Sequence, residues 1–245
     1  MPLSTDQQER YSRQTELSGW GVEGQERLLA SRVFVAGVGG LGCAAAVYLA
    51  QAGVGELVVC DGDVVERSNL NRQFLYSRDN ITEPKAIVAA AALRRLNPDV
   101  TVTPMFAEID RSTAESFIEG SDLVLDCLDN PETRVVLNRA CLAAGIPMVY
   151  AAVAEYTGYL SFLSPPATPC LECFVDGTCP PVHPPVPGGT AGTLGSLEAV
   201  EALKFLTGTG RTLAGKLLIV DASVPRFDVV RVDRNPSCPA CSRLG

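Results

Sequence analysis

A glycine-rich turn near the start of the chain has the spacing of a phosphate-binding loop. The glycines are Gly37, Gly39 and Gly42, and they separate an apolar predicted strand from an alanine-rich predicted helix. Such a turn lets the backbone approach a phosphate, whose charge is stabilised by free amide groups at the helix N-terminus. Asp61 ends the next predicted strand, where an acid can accept hydrogen bonds from a ribose. A nucleotide site is predicted, although dinucleotide enzymes share these features.

Further polar residues favour ATP over a nicotinamide. Arg72 can bind phosphate oxygens through two donors, and Lys85 can act as a point charge beside them. Asp129 follows another predicted strand and can hold Mg²⁺ between phosphates. Taken singly, the two cations could be solvated surface charges, and Asp129 could simply cap the helix that opens at Pro131. Taken together and in this order, they predict a site for ATP with Mg²⁺.

The predicted nucleotide-binding residues lie in the glycine turn, at strand ends or on the segments that follow. They are Gly37, Gly39, Gly40, Gly42, Asp61, Ser68, Asn69, Arg72, Gln73, Lys85, Asp129 and Asn130. We expect Arg72 and Lys85 to bind the phosphates of ATP, with Asp129 holding the metal.

Four cysteines occur in two C-x-x-C pairs, Cys170/Cys173 and Cys238/Cys241. Two such turns can form a tetrahedral thiolate site if the fold brings them together. A site with four protein ligands would be a structural zinc site that attaches the C-terminal tail to the loop after Leu163. A redox-active dithiol is the alternative, which we consider less compatible with a cytosolic chain.

Composition and charge limit the class of protein. The chain has 245 residues, a formal net charge of −8 and 47% hydrophobic residues, which suit one large globular domain. The acidic balance argues against a nucleic-acid partner, since nucleic acid requires a basic surface. The sequence has no apolar run long enough to span a membrane, and residues 1–13 contain no signal core. We therefore expect a cytoplasmic protein without a membrane partner.

Strand and helix patterns alternate, which predicts a doubly wound, Rossmann-like α/β fold with a mostly parallel sheet. The predicted strands are Arg32–Ala36, Glu56–Cys60, Thr101–Phe106, Leu123–Asp126, Met148–Ala152 and Tyr159–Leu163. The predicted helices are Leu41–Ala52, Lys85–Leu96, Pro131–Ala144 and Leu194–Leu206. A last pair of strands, Leu217–Val220 and Phe227–Val232, predicts an antiparallel C-terminal extension. We expect residues 1–245 to form one domain, with an N-terminal arm at 1–30 and zinc-binding segments at 164–190 and 233–245.

The segment Thr178–Gly189 is rich in proline, which predicts a long loop. It contains Cys179 and the single histidine, His183. We interpret His183 as an incidental loop residue.

Several motifs together resemble the ubiquitin-activating-enzyme-like superfamily, and most closely its bacterial MoeB and ThiF adenylyltransferases. They are R-Y-S-R-Q from Arg10, G-V-G-G-L-G-C from Gly37, D-G-D from Asp61, S-N-L-N-R-Q from Ser68, P-K at 84–85, L-N-P at 96–98, and D-C-L-D-N from Asp126. The resemblance runs over residues 8–242. It implies ATP-dependent adenylation of the C-terminal glycine of a small ubiquitin-fold sulfur carrier of the MoaD or ThiS type, ending in Gly-Gly. Pyrophosphate leaves, and the acyl-adenylate then receives sulfur.

The adenylation that the resemblance implies gives Arg72 and Lys85 the stabilisation of an in-line transition state, and it needs no general base, since the attacking carboxylate is already ionised. The resemblance also implies roles for further residues. Members of the family are homodimers in which an N-terminal arginine reaches into the neighbouring site, and Arg13 matches that position. Cys179 matches a cysteine that joins the carrier covalently in some relatives, so it is a candidate catalytic residue, or else a non-essential loop thiol. The two C-x-x-C pairs bind zinc in the resembling family. The loop at 180–192 is longer and richer in proline than the family pattern, which leaves the choice of carrier open.

Other functions remain open from the sequence. A nicotinamide- or flavin-dependent oxidoreductase rests on the glycine turn and Asp61 alone, and an activator of a peptide precursor would use the same chemistry on another acceptor. A non-enzymatic, zinc-stabilised scaffold is disfavoured by the intact phosphate-binding cations. The carrier could serve molybdopterin, thiamine or tRNA thiolation. Because no rhodanese-like extension follows Cys241, we expect the sulfur donor to be a separate protein.

Overall fold

The computed structural model describes residues 2–175 and 184–243. Cys179 and His183 lie outside these residues, so their roles stay predictions. The described strands are β1 (Arg32–Ala36), β2 (Glu56–Cys60), β3 (Thr101–Met105), β4 (Leu123–Asp126), β5 (Met148–Ala154), β6 (Thr157–Leu163), β7 (Lys216–Asp221) and β8 (Arg226–Arg231). The described α-helices are α1 (Thr5–Arg10), α2 (Ser12–Thr15), α3 (Gly21–Ala30), α4 (Gly40–Ala52), α5 (Lys85–Leu96), α6 (Ala114–Ile118), α7 (Pro131–Ala144) and α8 (Gly188–Thr207).

The strands form one mixed sheet in the order β3-β2-β1-β4-β5-β6-β7-β8. Strands β1 to β5 pair in parallel, and β6, β7 and β8 add antiparallel pairs. This confirms the predicted parallel sheet and its antiparallel C-terminal extension. The register aligns Ala36 with both Cys60 and Asp126, so three strands end at one edge of the sheet. The segments that follow these strands must therefore lie close together.

Helices cover both faces of the sheet, because successive strand residues point to opposite sides. Val35 faces the layer of α3, α4, α5 and α8, where it shares a core with Leu49. Phe34 faces the other layer, where it packs with Ile118 of α6 and Leu137 of α7. All five side chains are fully buried. Burial of each such side chain stabilises the fold by about 1.5–3 kcal/mol.

Helix α7 has the start and end that the sequence predicts. The Asn130 side chain accepts hydrogen bonds from the amides of Glu132 (2.9 Å) and Thr133 (3.3 Å), and Pro131 occupies the first turn. The helix ends at Gly145, whose φ of 66° is a left-handed conformation that favours glycine. Asn130, rather than Asp129, is therefore the cap of this helix.

Helix α8 begins at Gly188, so the predicted start at Leu194 and the predicted loop up to Gly192 were wrong. Gly188, which the composition predicts to lie in a loop, lies instead in a helix and packs closely against another segment. A Cβ atom there would lie 2.6 Å from the carbonyl oxygen of Asn71. The remaining boundaries differ by smaller amounts: β3 ends at Met105, β8 ends at Arg231, and β5 and β6 extend into a hairpin that pairs Ala154 with Thr157.

Over residues 2–175 and 184–243, the structure contains no helix whose length and apolar character would suffice to cross a membrane.

Candidate nucleotide and metal sites

A cavity of about 720 Å³ opens beyond the carboxyl ends of the parallel strands. It lies where the sheet order changes direction, because β1 is flanked by β2 on one side and by β4 on the other. Ligands of open α/β sheets bind at such a point. The predicted residues that line this cavity are Gly37, Gly39, Gly40, Asp61, Arg72, Gln73, Lys85, Asp129 and Asn130. Gly42, Ser68, Asn69 and Arg13 are not among its lining residues.

The glycine turn is built so that the backbone itself faces the cavity. Gly37 has a φ of 87°, which favours glycine. A Cβ atom on Gly42 would lie only 2.0 Å from the Gly37 carbonyl oxygen, so a larger residue would open the turn. Helix α4 starts directly afterwards and has no side-chain cap at Gly39. Its first amide groups are therefore available to an anion.

Asp61 connects β2 to the glycine turn. Its carboxylate accepts hydrogen bonds from the amides of Val38 and Asp63, both at 2.9 Å. Burial raises the pKa of Asp61, although the nearby Lys85 ammonium opposes that shift. Each carboxylate oxygen accepts one amide hydrogen bond and keeps acceptor capacity, which is what a ribose hydroxyl requires.

Lys85, the first residue of α5, is held by an ion pair that was not predicted from the sequence. Its Nζ atom lies 2.7 Å from Oδ2 of Asp63, and its side chain is buried whereas that of Asp63 is exposed. The Lys85 amide also donates to the Asp63 carbonyl oxygen at 2.9 Å. The second acid of the D-G-D stretch was the signal that could have identified this contact.

Arg72 reaches the cavity from the segment after β2. Its guanidinium donates to the Ser68 carbonyl oxygen (2.9 Å) and to Oδ1 of Asn71 (3.0 Å). Within the described residues it forms no ion pair with a carboxylate. Gln73 beside it is buried, and its Oε1 atom has no hydrogen-bond partner among residues 2–175 and 184–243. In this described part of the chain, a cation without a counterion, an orphaned amide oxygen and an uncapped helix start fit a bound nucleotide.

Ser68 and Asn69 use their side chains to hold the local turn. Ser68 Oγ donates to Oε2 of Glu66 at 3.0 Å, and Asn69 Oδ1 accepts from the Glu66 amide at 2.9 Å. The structure therefore gives these two residues a supporting position beneath Arg72. Their predicted contact with a nucleotide stays a prediction.

A buried ion pair fixes the turn that carries Asp129. Arg134 lies 3.1 Å from Oδ2 of Asp126, donates to the Ala151 carbonyl oxygen at 2.8 Å and also bonds the Leu128 carbonyl oxygen. Burial raises the pKa of Asp126, and the guanidinium opposes that shift. These contacts lock the segment after β4, from which Asp129 faces the cavity. The periodicity of the residues does not predict this ion pair.

Glu198 of α8 lies fully buried behind the same turn. Its Oε2 atom accepts from the Cys127 thiol at 3.3 Å, while Oε1 has no hydrogen-bond partner in the described part of the chain. Burial raises the pKa of Glu198 well above its ordinary value. A neutral, protonated Glu198 is the form that this environment favours.

The four predicted metal ligands converge. The Sγ atoms of Cys170, Cys173, Cys238 and Cys241 all lie within 4.8 Å of one another. Individual separations are 3.6 Å for Cys170–Cys238 and 3.4 Å for Cys173–Cys241. A tetrahedron with Zn–S bonds of about 2.3 Å has sulfur atoms about 3.8 Å apart. The cluster therefore fits zinc, and it joins the C-terminal tail to the turn after β6.

Of the remaining predicted residues, Arg13 does not line the cavity of its own chain. Its side chain on α2 is 95% exposed and lies 4.0 Å from Glu16. Cys179 lies outside the described residues.

Together the fold and the cavity define a Rossmann-like protein with a candidate nucleotide site and a four-cysteine cluster that fits zinc. A family model described as the ThiF family matches residues 11–240. The chain belongs to the ThiF family, as the motifs predicted.

Comparison with known proteins narrows the class further. The SAMP-activating enzyme E1 of Haloferax volcanii is 46% identical over 253 residues, which cover 100% of this chain and 93% of that protein. The molybdopterin-synthase adenylyltransferase of Escherichia coli is 41% identical over 246 residues, covering 98% of this chain and 99% of that one. Because of this family match and these similarities, the chain is identified as an adenylyltransferase. The oxidoreductase interpretation is not favoured.

A solved structure shows the same fold. The crystal structure of Escherichia coli MccB with ATP superposes with a TM-score of 0.84 at 24% identity, covering 95% of this chain and 73% of that chain.

Proposed function

We propose that the protein uses ATP with Mg²⁺ to adenylate the C-terminal glycine carboxylate of a ubiquitin-fold sulfur carrier. The proposal is supported chiefly by one observation: Arg72, Lys85 and Asp129 line the same cavity as the glycine turn. Two further supports are relatives, one named as a SAMP-activating enzyme and the other as a molybdopterin-synthase adenylyltransferase. Residues 1–245 would act as one adenylation unit in the cytoplasm, where the clustered thiols stay reduced.

The chain's residues would divide the reaction between binding and charge stabilisation. The α4 N-terminus and Lys85 would bind the phosphates, and Asp61 would hold the ribose. Asp129 would hold Mg²⁺, which neutralises phosphate charge when bound. The carrier carboxylate then attacks the α-phosphorus, the bond to the bridging oxygen breaks, and pyrophosphate leaves with the electron pair. Arg72 would stabilise the charge that develops on the phosphate oxygens.

The cost that the site must offset is electrostatic. Two anions, the carrier carboxylate and the triphosphate, must approach each other in a protein of net charge −8. Fixed cations and amide dipoles that are already oriented in a protein cavity reduce that repulsion more than solvent does. Because the attacking group is already ionised, none of the lining residues has to remove a proton.

Arg13 would act on the neighbouring subunit of a homodimer. This is supported by its exposed side chain, which does not line the cavity of its own chain. A mixture of the inactive variants R13A and R72A should regain about a quarter of the wild-type activity, since half of a mixed heterodimer's sites are complete. If the mixture stays as inactive as its components, Arg13 does not act across a dimer.

Zinc on the four cysteines would be structural, because all its coordination positions would be filled by protein. Cys179, which is separate from these four cysteines, would be a reactive thiol. The variant C179A tests it: carrier adenylation should persist, and a covalent carrier–enzyme adduct should disappear. An adduct that survives in C179A would exclude this cysteine.

The experiment that tests the proposed function is carrier-dependent ATP–pyrophosphate exchange. Candidate carriers ending in Gly-Gly are compared with matched carriers that lack the last glycine. Exchange should require the complete carrier and Mg²⁺. Exchange that is independent of the carrier, or equal with the truncated one, would refute the proposed acceptor.

A further inference from the structure

Glu108 lies at the edge of the cavity, on the segment that follows β3. Strands β2 and β3 pair in register up to Cys60 and Met105, and the Asp61 amide donates to the Met105 carbonyl oxygen at 3.1 Å. The segments after these two strands therefore run side by side. Glu108 lines the same cavity as Asp61 and Lys85.

The Glu108 carboxylate rests directly on Gly62. A Cβ atom at Gly62 would lie 2.4 Å from Oε1 of Glu108 and 2.7 Å from its Cδ. The glycine after Asp61 thus leaves room for an acid from the neighbouring strand. Through this contact Glu108 lies one residue from the acid that faces the ribose position.

Glu108 differs from the other acids at this end of the cavity because its carboxylate has no protein partner. Asp61 accepts two backbone amides, and Asp63 pairs with Lys85. Throughout residues 2–175 and 184–243, no hydrogen bond or ion pair engages the Glu108 carboxylate. Both of its oxygens are available as acceptors.

The order of the strands indicates what these oxygens would meet. The phosphate-binding turn follows β1, the ribose-binding Asp61 follows β2, and Glu108 follows β3. Adjacent strands are about 4.8 Å apart, so a nucleotide laid across these three ends runs from phosphate to ribose to base. Glu108 lies at the base end of that path.

We propose that Glu108 selects adenine, by accepting a hydrogen bond from the exocyclic amino group at its 6-position. The inference rests on the proposed use of ATP and adds the residue that sets the choice of base. An ionised carboxylate is only an acceptor. Adenine offers a donor at this position, whereas guanine offers a carbonyl oxygen that would face the carboxylate unfavourably.

The test measures equilibrium binding of three Mg²⁺-nucleotides: ATP, GTP and purine riboside triphosphate, which lacks the amino group. Wild-type protein should bind ATP about tenfold more tightly than the purine analogue, and in E108A this preference should fall to about one. E108Q should bind GTP more tightly relative to ATP, because an amide can also donate. E115Q, which changes an exposed acid on α6, should leave all ratios unchanged.

The comparison of ATP with the purine analogue, in wild-type protein and in E108A, forms a double-mutant cycle. An effect of the lost charge that is the same for both nucleotides cancels from the ratio of their affinities. An E108A protein that keeps the wild-type preference would overturn the inference and leave ATP use intact. A wild-type protein that binds ATP but does not distinguish the analogue would overturn it as well. A wild-type protein that fails to bind ATP at all would overturn the proposed function and this inference with it.

Discussion

Lys85 Nζ lies 2.7 Å from Oδ2 of Asp63, and this pair holds a buried ammonium at the edge of the candidate nucleotide cavity. The two residues come from different segments, since Asp63 follows β2 and Lys85 opens α5. An isolated bridge between Val64 and Pro84 brings these segments together. The acid therefore orients the cation before any phosphate is bound.

The variant D63N should release this orientation. We expect about a tenfold loss in kcat/KM for ATP in pyrophosphate exchange, because a charge-assisted hydrogen bond to Lys85 is weakened while the side-chain shape is kept. The matched control is D79N, which alters an exposed acid on the same segment. Equal exchange rates for D63N and wild-type protein would show that Lys85 needs no such support.

Removal of zinc should loosen the C-terminal tail. The protein is expected to carry one zinc per chain, and C238S should lose the metal and unfold at a lower temperature, because structural zinc contributes folding free energy. Metal analysis and thermal unfolding measure both effects. C141A, which removes a buried thiol outside the cluster, should keep its zinc. Stoichiometric zinc in C238S, or a metal-free wild type that folds normally, would contradict the assignment.

Breaking the Asp126–Arg134 pair should be costly. R134M leaves a buried carboxylate without its partner, and we expect a loss of about 3–5 kcal/mol in the free energy of unfolding, measured with urea. R231M is the control, because Arg231 pairs with Asp233 at the surface, where the two side chains are 83% and 71% exposed, and such pairs contribute about 0–1 kcal/mol. A loss in R134M no larger than that in R231M would refute the role assigned to the buried pair.

Glu198 should make stability depend on pH in a defined direction. Burial raises its pKa in the folded protein well above the ordinary value of 4.5, so the stability that its neutral form contributes is complete below pH 4.5 and is lost as the pH rises towards the folded pKa. E198Q keeps the shape but cannot ionise. The unfolding free energy of E198Q minus that of wild type should therefore grow above pH 4.5, with a slope of at most about 1.4 kcal/mol per pH unit. A difference that stays constant from pH 4 to pH 8 would show that Glu198 does not titrate in this way.

Local signals were enough to predict much of the fold. Helix α7 has the predicted bounds because Pro131 and Gly145 act within one turn of its ends. The glycine turn was recognisable for the same reason, since its spacing and its flanking strand are contiguous in sequence. Helix α8 was predicted too short because Gly188 packs against the backbone of a distant segment, which composition alone does not reveal.

The motifs of the candidate site could be predicted from the sequence, but the ion pairs within the site could not. Arg72, Lys85 and Asp129 could be named because each follows a predicted strand end. The partners that hold them, Asp63 and the Asp126–Arg134 pair, depend on which segments the sheet brings together. The four cysteines were an exception, because two C-x-x-C turns predict a common metal site even when they are far apart in the sequence.

In the proposed reaction, three charged side chains converge on the phosphates so that a terminal carboxylate becomes an acyl-adenylate. The most direct measurement is mass spectrometry of the carrier after incubation with ATP, Mg²⁺ and the enzyme, together with analysis of the released nucleotides. We predict a carrier that gains one AMP with release of pyrophosphate, and loss of this product in R72A, K85A and D129A. An unmodified carrier, or release of ADP and phosphate in place of AMP transfer, would contradict the account.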